Sequence, residues 1–382
     1  MASPRRNFLR TLVCAGGTAA LMPSSLRGLT TSAASFDAIR FDESPGTIRL
    51  NSNENAYGPS GKAVAALRDA LQDVNRYPDS SYDGLVEKIA QLHGVKREQL
   101  LLGCGSTEIL RMTAAAFLRP GKRLIQANPT FEAMDHYAQA TGAEVVSLRL
   151  TPQFAHDLEA MSQHLDENAT LVYICNPNNP TGTLTPRPDL ELFIKKLPTN
   201  THILIDEAYH HYAGEFARYQ SFIDRPVDNE RVIVTRTFSQ VYGLAGLRLG
   251  YAVGAPKVLQ SLRAHATEQS VNRLVALAAM AALEDADSVR DAVKRNANDR
   301  QEFRNSAMVR MLKPIDSHAN FVMMDTHHPA QEVIEHFQQN QVLIGPHFPA
   351  MDTHIRVSLG TRPEMLRFWR VWDMLGYTQM HM

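Results

Sequence analysis

The stretch Thr235-Arg-Thr-Phe-Ser-Gln-Val-Tyr-Gly-Leu-Ala-Gly-Leu-Arg-Leu-Gly-Tyr251 decides the fold of this chain. It joins two predicted strands, near residues 232–235 and 249–253, through a loop that contains glycine. Arg248 offers a fork of hydrogen-bond donors that suits a phosphate, although a surface arginine would look the same in the sequence. At the centre lies Gln240, whose amide does not transfer a proton near neutral pH.

An acidic residue ends the predicted strand that precedes this stretch. His202-Ile-Leu-Ile-Asp206 is short and apolar, and it continues into Asp206-Glu-Ala-Tyr209. A carboxylate at the end of a buried strand costs desolvation free energy unless it meets a cation, and a protonated pyridine nitrogen is such a cation. An aspartate that caps a helix N-terminus is the alternative interpretation.

Three further motifs carry groups that bind anions or shape a rigid loop. Gly103-Cys-Gly105-Ser106-Thr107-Glu108 follows a strand and opens a helix, so it suits a phosphate, or a simple turn with Ser106 or Thr107 as N-cap. Asn176-Pro-Asn-Asn179-Pro-Thr-Gly182 is typical of a rigid loop. Arg356 lies in an apolar strand, where an arginine usually meets an acid or an anionic ligand.

Strand and helix patterns alternate through most of the chain. Apolar runs near residues 100–102, 123–126, 144–148, 171–174 and 202–205 alternate with helical spacing. This rhythm predicts an α/β fold with a mainly parallel central sheet flanked by helices. Beyond it, the pattern predicts long helices over 257–282 and 287–311 and strands near 321–324 and 354–358. We expect a large domain at 61–256 and a smaller α+β domain at 257–382, which residues 35–60 join as an N-terminal arm.

The first 34 residues resemble a twin-arginine export signal. Arg5-Arg6 precede Phe8-Leu9, a weakly apolar stretch follows, and Ser32-Ala33-Ala34 is a candidate cleavage site. A disordered basic tail is the alternative. The signal predicts that the mature protein is periplasmic.

Composition narrows the classes of partner. The 382 residues are 44% hydrophobic and 21% charged, with a net charge of -1, so a nucleic-acid or membrane-surface partner has no electrostatic support. No apolar run is long enough to span a bilayer. We expect Cys104 and Cys175 to be small buried residues; a disulfide between them is allowed in an oxidising compartment but not required. No Cys/His spacing is typical of a metal site.

Taken together and in order, these motifs resemble the class I/II, fold-type I aminotransferases, which use pyridoxal 5'-phosphate (PLP). The resemblance covers about residues 45–376 and is closest to the histidinol-phosphate aminotransferase branch. It rests on Leu50-Asn-Ser-Asn-Glu-Asn, Asn75-Arg-Tyr77-Pro, Asn176-Pro-Asn-Asn-Pro-Thr-Gly, Asp206-Glu-Ala-Tyr and Gly243-Leu-Ala-Gly-Leu-Arg248.

The resemblance implies a role for each matching residue. Asp206 pairs the ring nitrogen of PLP, Asn179 and Tyr209 bind the ring hydroxyl, and Phe131 stacks on the ring. Arg356 binds a substrate carboxylate. The remaining residues hold the cofactor phosphate: Gly105, Ser106, Thr107, Thr237, Ser239, Arg248 and, from the neighbouring subunit of a homodimer, Tyr77.

Two positions depart from the family pattern. Gln240 lies where the family has the lysine that binds PLP covalently, so PLP is expected to be held without a covalent bond. Gly345 lies where the histidinol-phosphate enzymes have an arginine that binds substrate phosphate, which implies that the substrate is not that phosphate ester.

Three hypotheses remain open. The chain is an exported enzyme that acts on an amino acid or amine and moves protons with another group, such as Tyr209, His210, His211 or Tyr242. Alternatively, it is a non-catalytic protein that binds PLP or an amino acid. A third interpretation is that Gln240 is an engineered substitution. The histidines have a simpler interpretation as surface or hydrogen-bonded polar residues, and Tyr242 as a packing residue.

Overall fold

The computed structural model describes residues 46–214, 218–226 and 229–379. Their strands are β1 (Ile48–Leu50), β2 (Leu100–Gly103), β3 (Arg123–Asn128), β4 (Glu144–Arg149), β5 (Ala169–Cys175), β6 (His202–Asp206), β7 (Val232–Thr237), β8 (Gly250–Gly254), β9 (Lys313–Pro314), β10 (Phe321–Asp325), β11 (Val342–Ile344) and β12 (His354–Ser358). Their helices are α1 (Gly61–Ala70), α2 (Asp79–His93), α3 (Ser106–Phe117), α4 (Ala133–Ala140), α5 (Leu158–Ser162), α6 (Arg187–Lys196), α7 (His210–Ala213), α8 (Pro256–Arg263), α9 (Arg273–Leu283), α10 (Ala286–Val309), α11 (Ala330–Gln339) and α12 (Arg362–Gln379).

A seven-stranded sheet organises the chain between β2 and β8. Its order is β2-β8-β7-β6-β5-β3-β4, and β8 is antiparallel to both of its neighbours while the other pairs are parallel. The predicted α/β fold with a mainly parallel sheet is therefore confirmed. Because the carboxyl ends of parallel strands meet at one edge, the ends of β5, β6 and β7 bring their polar residues together.

Helices cover both faces of this sheet. Alternate residues of β5 enter different cores: Val172 and Ile174 pack in one, and Leu171 and Tyr173 in the other. Helices α2, α6 and α9 contribute to the first core, and α3, α4 and α8 to the second. All seven residues of β5 are buried, as expected for a strand covered on both faces.

The C-terminal part has smaller sheets and a core of its own. Strands β12-β10-β9 form an antiparallel sheet, and β1 pairs in parallel with β11. Helices α10, α11 and α12 enclose the core around these strands, which includes Phe303, Phe337 and Phe368. Residues 48–50 thus add a strand to C-terminal sequence. The predicted boundaries at 35–60, 61–256 and 257–382 stay predictions.

One expected element was wrong. Residues 257–282 do not form one long helix, because α8 ends at Arg263 and α9 begins at Arg273. Asn272 interrupts the helical pattern by capping α9, where its Oδ1 accepts a hydrogen bond from the amide of Val275 at 2.9 Å. Within the described residues, no helix combines the length and apolar character needed to cross a membrane. The predicted export signal lies outside those residues.

Candidate functional site

Residues predicted to bind a phosphate converge where α3 begins beside the end of β7. Arg248 donates from Nη2 to Thr107 Oγ1 at 3.2 Å and from Nη1 to Ser239 Oγ at 3.3 Å. The hydroxyl oxygens of Thr237 and Ser239 lie 3.0 Å apart. We call Gly105, Thr107, Thr237, Ser239 and Arg248 the anion cup. Its guanidinium, its hydroxyls and the helix N-terminus are groups that bind phosphate.

Gly105 is required by the geometry of the anion cup. Its φ is 74°, and a Cβ at this position would lie 2.2 Å from Nη2 of Arg248. Gly105 is itself the N-cap of α3 and provides no side-chain cap, so the alternative of Ser106 or Thr107 as N-cap is wrong. Ser106 is the first residue of the helix and is half-buried. The close approach of Arg248 to the turn therefore depends on a residue without a side chain.

Asp206 ends β6 as predicted and is buried. Its Oδ2 accepts a hydrogen bond from the hydroxyl of Tyr173 at 3.0 Å, and its Oδ1 accepts one from the amide of Ala208 at 3.1 Å. Burial raises the pKa of Asp206 from 3.8 to about 6. Helix α7 has Tyr209 as its N-cap, so Asp206 does not cap that helix. Its carboxylate is held at both oxygens in a place where a cationic ring nitrogen would favour the charged form.

Arg356 joins the C-terminal sheet to the loop after β5. It donates from Nη1 to Asn179 Oδ1 at 2.6 Å and from Nη2 to the carbonyl oxygen of Asn51 at 2.7 Å. Its guanidinium lies 5.6 Å from the ring centroid of Phe321 and 5.4 Å from that of Phe348. Among the described residues, its buried Nε has no hydrogen-bond partner. The guanidinium of Arg356 is therefore buried and held in place by two hydrogen bonds, and its Nε remains as a donor for a ligand.

Tyr209 and Asn53 meet beside this arginine. The hydroxyl oxygen of Tyr209 accepts a hydrogen bond from Nδ2 of Asn53 at 3.0 Å, and the ring of Tyr209 meets that of Phe321 edge to face. Burial raises the pKa of Tyr209, so its hydroxyl keeps its proton. That proton remains available for a ligand, since the contact with Asn53 uses only the oxygen as an acceptor.

Gln240 follows the anion cup directly. Its backbone oxygen accepts a hydrogen bond from the amide of Gly243 at 3.0 Å, which closes the turn after β7. Its side-chain Oε1 is buried without a hydrogen-bond partner in the described part of the chain. An unpaired buried carbonyl oxygen is unfavourable unless an ordered water or a ligand donates a hydrogen bond to it.

Two predicted site residues, Phe131 and Tyr77, have no hydrogen bond or ion pair with the residues of the anion cup. Phe131 is half-buried and packs against the core that contains α3 and α4. Tyr77 is 76% exposed in the isolated chain, so it makes no part of the anion cup of its own chain. Its predicted contact with a neighbouring subunit stays a prediction.

The histidines and the tyrosine named as alternative proton-transfer groups, His210, His211 and Tyr242, are half-buried. His210 Nδ1 lies 3.0 Å from the hydroxyl of Tyr219, and His211 Nε2 lies 3.5 Å from that of Tyr242. Burial lowers the pKa of His210 to about 3 and that of His211 well below its usual value, so both rings are neutral near pH 7. Both rings are half-buried, and these contacts agree with the interpretation as hydrogen-bonded polar residues.

The described residues contain two cysteines and the residue types that bind metal ions. Cys104 and Cys175 are both free thiols; Cys175 is buried as expected, whereas Cys104 is only half-buried. Residues 46–214, 218–226 and 229–379 contain no cluster of three or more His, Cys, Asp or Glu side chains arranged to hold a metal ion.

Sequence reasoning missed two contributors to this site. Tyr173 donates a hydrogen bond from its hydroxyl to Asp206. Asn53 donates from its side-chain Nδ2 to the hydroxyl of Tyr209, and from its backbone amide to Ser358 Oγ at 2.8 Å. Asn53 lies in the polar motif Leu50-Asn-Ser-Asn-Glu-Asn, and this motif could have identified it as a site residue. The sequence signal for Tyr173 was weaker: its hydroxyl is the one polar group among the apolar residues near the end of β5.

The sequence profile of the family described as "Aminotransferase class I and II" matches residues 45–370. The chain belongs to this family. The family is PLP-dependent, and the predicted recognition of it is confirmed. The described arrangement of the anion cup and Asp206 therefore lies within a family that binds a phosphorylated, nitrogen-containing ring.

Individual relatives agree with this assignment. The chain is 37% identical over 325 residues to a histidinol-phosphate aminotransferase of Moorella thermoacetica, covering 85% of this chain and 84% of that protein. A solved structure from Erwinia carotovora atroseptica has a TM-score of 0.82 and 31% identity, covering 88% of this chain and 97% of that one. The Sinorhizobium meliloti histidinol-phosphate aminotransferase in complex with PLP has a TM-score of 0.80 and 27% identity, covering 86% and 91%. Within its family the chain is thus similar to histidinol-phosphate aminotransferases.

Proposed function

We propose that this chain binds PLP without a covalent bond and acts on an amino acid or related amine by transamination-type chemistry. The observation that carries the proposal is the combination of the anion cup, a buried Asp206 and the amide of Gln240 in place of a primary amine. The cup supplies donors for a phosphate, and Asp206 supplies a carboxylate for a ring nitrogen. Gln240 supplies no amine for a covalent bond.

The residues present fit this cofactor. Gly105 leaves space that a Cβ would fill, and Arg248 occupies the edge of that space. Asn179 uses Oδ1 for Arg356, which leaves its Nδ2 as a donor to the ring hydroxyl. Tyr209 keeps its proton as a second donor, and Phe131 offers a ring face. When bound, PLP supplies an electron sink for bond breaking next to an amine nitrogen.

Gln240 determines what the chain can do with that cofactor. Its amide neither anchors the ring nor carries a proton near neutral pH. Loss of a general base typically lowers a rate by about 10²–10⁴-fold. An active enzyme would therefore need another base, and the neutral rings of His210 and His211 and the hydroxyls of Tyr209 and Tyr242 are the groups to test.

The alternative function is a non-catalytic protein that binds PLP or an amino acid. The buried Oε1 of Gln240, which has no protein partner among the described residues, favours a ligand that donates a hydrogen bond. Such a protein would need the anion cup and Arg356 but no base. Binding with no turnover would support this alternative.

The substrate class is inferred from Arg356 and Gly345. Arg356 retains donors for a carboxylate after its contacts with Asn179 and Asn51. Gly345 has no side chain, and a Cβ there would lie 3.0 Å from that of Arg356. A second arginine at this position would require Arg356 to shift. We therefore propose a carboxylate-bearing amine rather than a phosphate ester as substrate.

A spectroscopic titration tests this function. The purified mature chain is mixed with PLP, its absorbance spectrum is recorded, and amino-group transfer is assayed with a panel of amino acids. A free-aldehyde spectrum with turnover supports an unorthodox enzyme, and the same spectrum without turnover supports the binding protein. No binding of PLP at all would contradict both.

We also propose export to the periplasm by the twin-arginine route. Its support is the order Arg5-Arg6, Phe8-Leu9 and an apolar stretch. Replacing Arg5 and Arg6 together by Lys should leave the chain in the cytoplasm, as measured by cell fractionation. Arg10→Lys is the matched control and should be exported normally. Equal export of both variants would exclude this route.

A further inference from the structure

A buried tyrosine lies behind the carboxylate that is expected to pair the cofactor ring. Tyr173 is on β5 and is fully buried, and its hydroxyl donates to Asp206 Oδ2 at 3.0 Å. The strand register places it opposite Leu204, with Cys175 opposite Asp206. Two adjacent parallel strands, whose positions are set by the sheet, therefore carry the two partners of this hydrogen bond.

This hydrogen bond holds the carboxylate in one orientation. Oδ2 accepts from Tyr173 and Oδ1 accepts from the amide of Ala208, so rotation of the carboxylate would break both contacts. A hydrogen bond to a charged group is stronger than one between neutral groups, so the hydroxyl favours ionised over protonated Asp206. Both oxygens keep a further lone pair for a ligand.

Other ionisable groups near Asp206 do not replace this contact. Cys175 is buried, and burial raises the pKa of its thiol, so it is neutral. Glu207 is compensated by Arg236, whose Nε lies 3.1 Å from its Oε2. Burial likewise keeps Tyr209 protonated. Tyr173 is thus the side chain that donates a hydrogen bond to this carboxylate in the described part of the chain.

We propose that Tyr173 is a positioning residue that keeps Asp206 ionised and aimed at the ring nitrogen of the cofactor. The inference rests on the proposed binding of PLP. The proton between Asp206 and the ring has two positions, on the nitrogen or on the carboxylate. The hydroxyl of Tyr173 stabilises the anionic carboxylate, and so it keeps the proton on the nitrogen.

The test compares Tyr173→Phe with Tyr212→Phe. Tyr212 is also a buried tyrosine, but no hydrogen bond links it to Asp206. Each variant is loaded with PLP labelled with ¹⁵N in the ring, and its ¹⁵N chemical shift and Kd are measured. In Tyr173→Phe we expect the shift to move toward unprotonated nitrogen and Kd to rise about tenfold, since one hydrogen bond to a charged group is lost. Tyr212→Phe should match the wild type.

A cofactor analogue separates positioning from a general structural effect. In 1-deazapyridoxal phosphate a carbon replaces the ring nitrogen, so Tyr173→Phe should leave its Kd unchanged. In the Asp206→Asn background, Tyr173→Phe should no longer change the Kd of PLP. An unchanged ¹⁵N shift, or an equal loss of affinity for the analogue, would overturn the role of Tyr173. Failure of the wild type to bind either compound would instead overturn the proposed function.

Discussion

The side chain of Gln240 bears on covalent attachment of PLP but not on the fold of the turn that contains it. The turn around it is intact, with its backbone oxygen bonded to Gly243 and Ser239 linked to Arg248. The first of these contacts uses only the backbone of Gln240, and the second joins the side chains of Arg248 and Ser239. Neither contact involves the side-chain amide of Gln240. We therefore expect the anion cup and covalent attachment of PLP to be independent properties, and a single substitution at residue 240 tests the second.

Gln240→Lys should restore covalent attachment of PLP. A lysine supplies the primary amine that condenses with the aldehyde, so we expect a new absorbance band in the visible. Borohydride reduction should then leave a mass increase on the peptide that contains residue 240. Gln240→Met, of similar length but without an amine, is the control. If the lysine variant folds and shows no such band, the side chain at 240 does not reach the aldehyde.

Asp206 should also affect the pH dependence of stability when no cofactor is bound. Burial raises its pKa from 3.8 to about 6, so the folded state holds the proton more tightly than the unfolded state. This contribution is fully present below about pH 4 and is lost as pH rises through about 6. We expect cofactor-free Asp206→Asn to exceed the wild type in free energy of unfolding at pH 8 by about 1–3 kcal/mol, and by little at pH 4.

Urea unfolding at both pH values measures this difference. Histidines whose pKa is lowered by burial, such as His156 and His202, contribute in the opposite direction, but they are common to both proteins and cancel in the comparison. With PLP present the order should reverse, because Asn cannot carry the charge that pairs the ring. A constant difference between pH 4 and pH 8 would show that Asp206 does not titrate in this range.

At the scale of elements, the candidate site is formed by the ends of strands and by the N-terminus of a helix. The N-terminus of α3, the ends of β6 and β7, and the loop after β5 each supply one part of it. Strand ends of a parallel sheet meet at one edge, so elements far apart in sequence deliver polar groups to the same place. The buried portions of these elements pack in the two large cores, which fixes the positions of their ends.

The turn before α3 should be sensitive to a single methyl group. Gly105→Ala would place a Cβ 2.2 Å from Nη2 of Arg248 and move the guanidinium out of the anion cup. We expect the Kd for PLP to rise about tenfold or more, in line with loss of a charge-assisted hydrogen bond. Gly121→Ala is the matched control, because Gly121 has a similar φ of 78° and nothing within 4 Å. Isothermal titration calorimetry gives both constants, and equal losses would point to backbone strain alone.

At the scale of the whole molecule, an apolar surface follows α1. Leu71, Val74 and Tyr77 are 58%, 60% and 76% exposed in the isolated chain. Exposed apolar side chains that are close in sequence favour a protein interface, and Tyr77 is the residue predicted to reach the cofactor of a neighbouring subunit. The position of these side chains agrees with the homodimer that the resemblance predicts.

A charge in this surface should dissociate that homodimer. Leu71→Glu with Val74→Glu would bury two carboxylates in the interface, and we expect a monomer in sedimentation velocity with weaker PLP binding. Leu192→Glu is the control, since Leu192 is 59% exposed on α6. A wild-type monomer, or a dimer that survives the double substitution, would contradict the placement of the interface.

The fold could be predicted from sequence because each strand of the seven-stranded sheet has a local signal. The strand ending at Asp206 and the glycine turn before α3 are features of adjacent residues, and both are present. The break between α8 and α9 was missed because alanine and leucine continue past it, and only the cap by Asn272 ends the pattern. Local sequence patterns therefore predict the presence of a helix or strand better than they predict a break within a run of helical residues.

The sequence by itself determined the order of elements, the family and the absence of a lysine at residue 240, since these depend on residue type and spacing. Only the tertiary structure decided which polar groups meet. Tyr173 reaches Asp206, and Arg356 reaches both Asn179 and Asn51. Those contacts join residues far apart in the chain and depend on strand order and register. Hydrogen bonds are effective over about 3 Å, so a local pattern cannot specify them until the sheet brings the partners together.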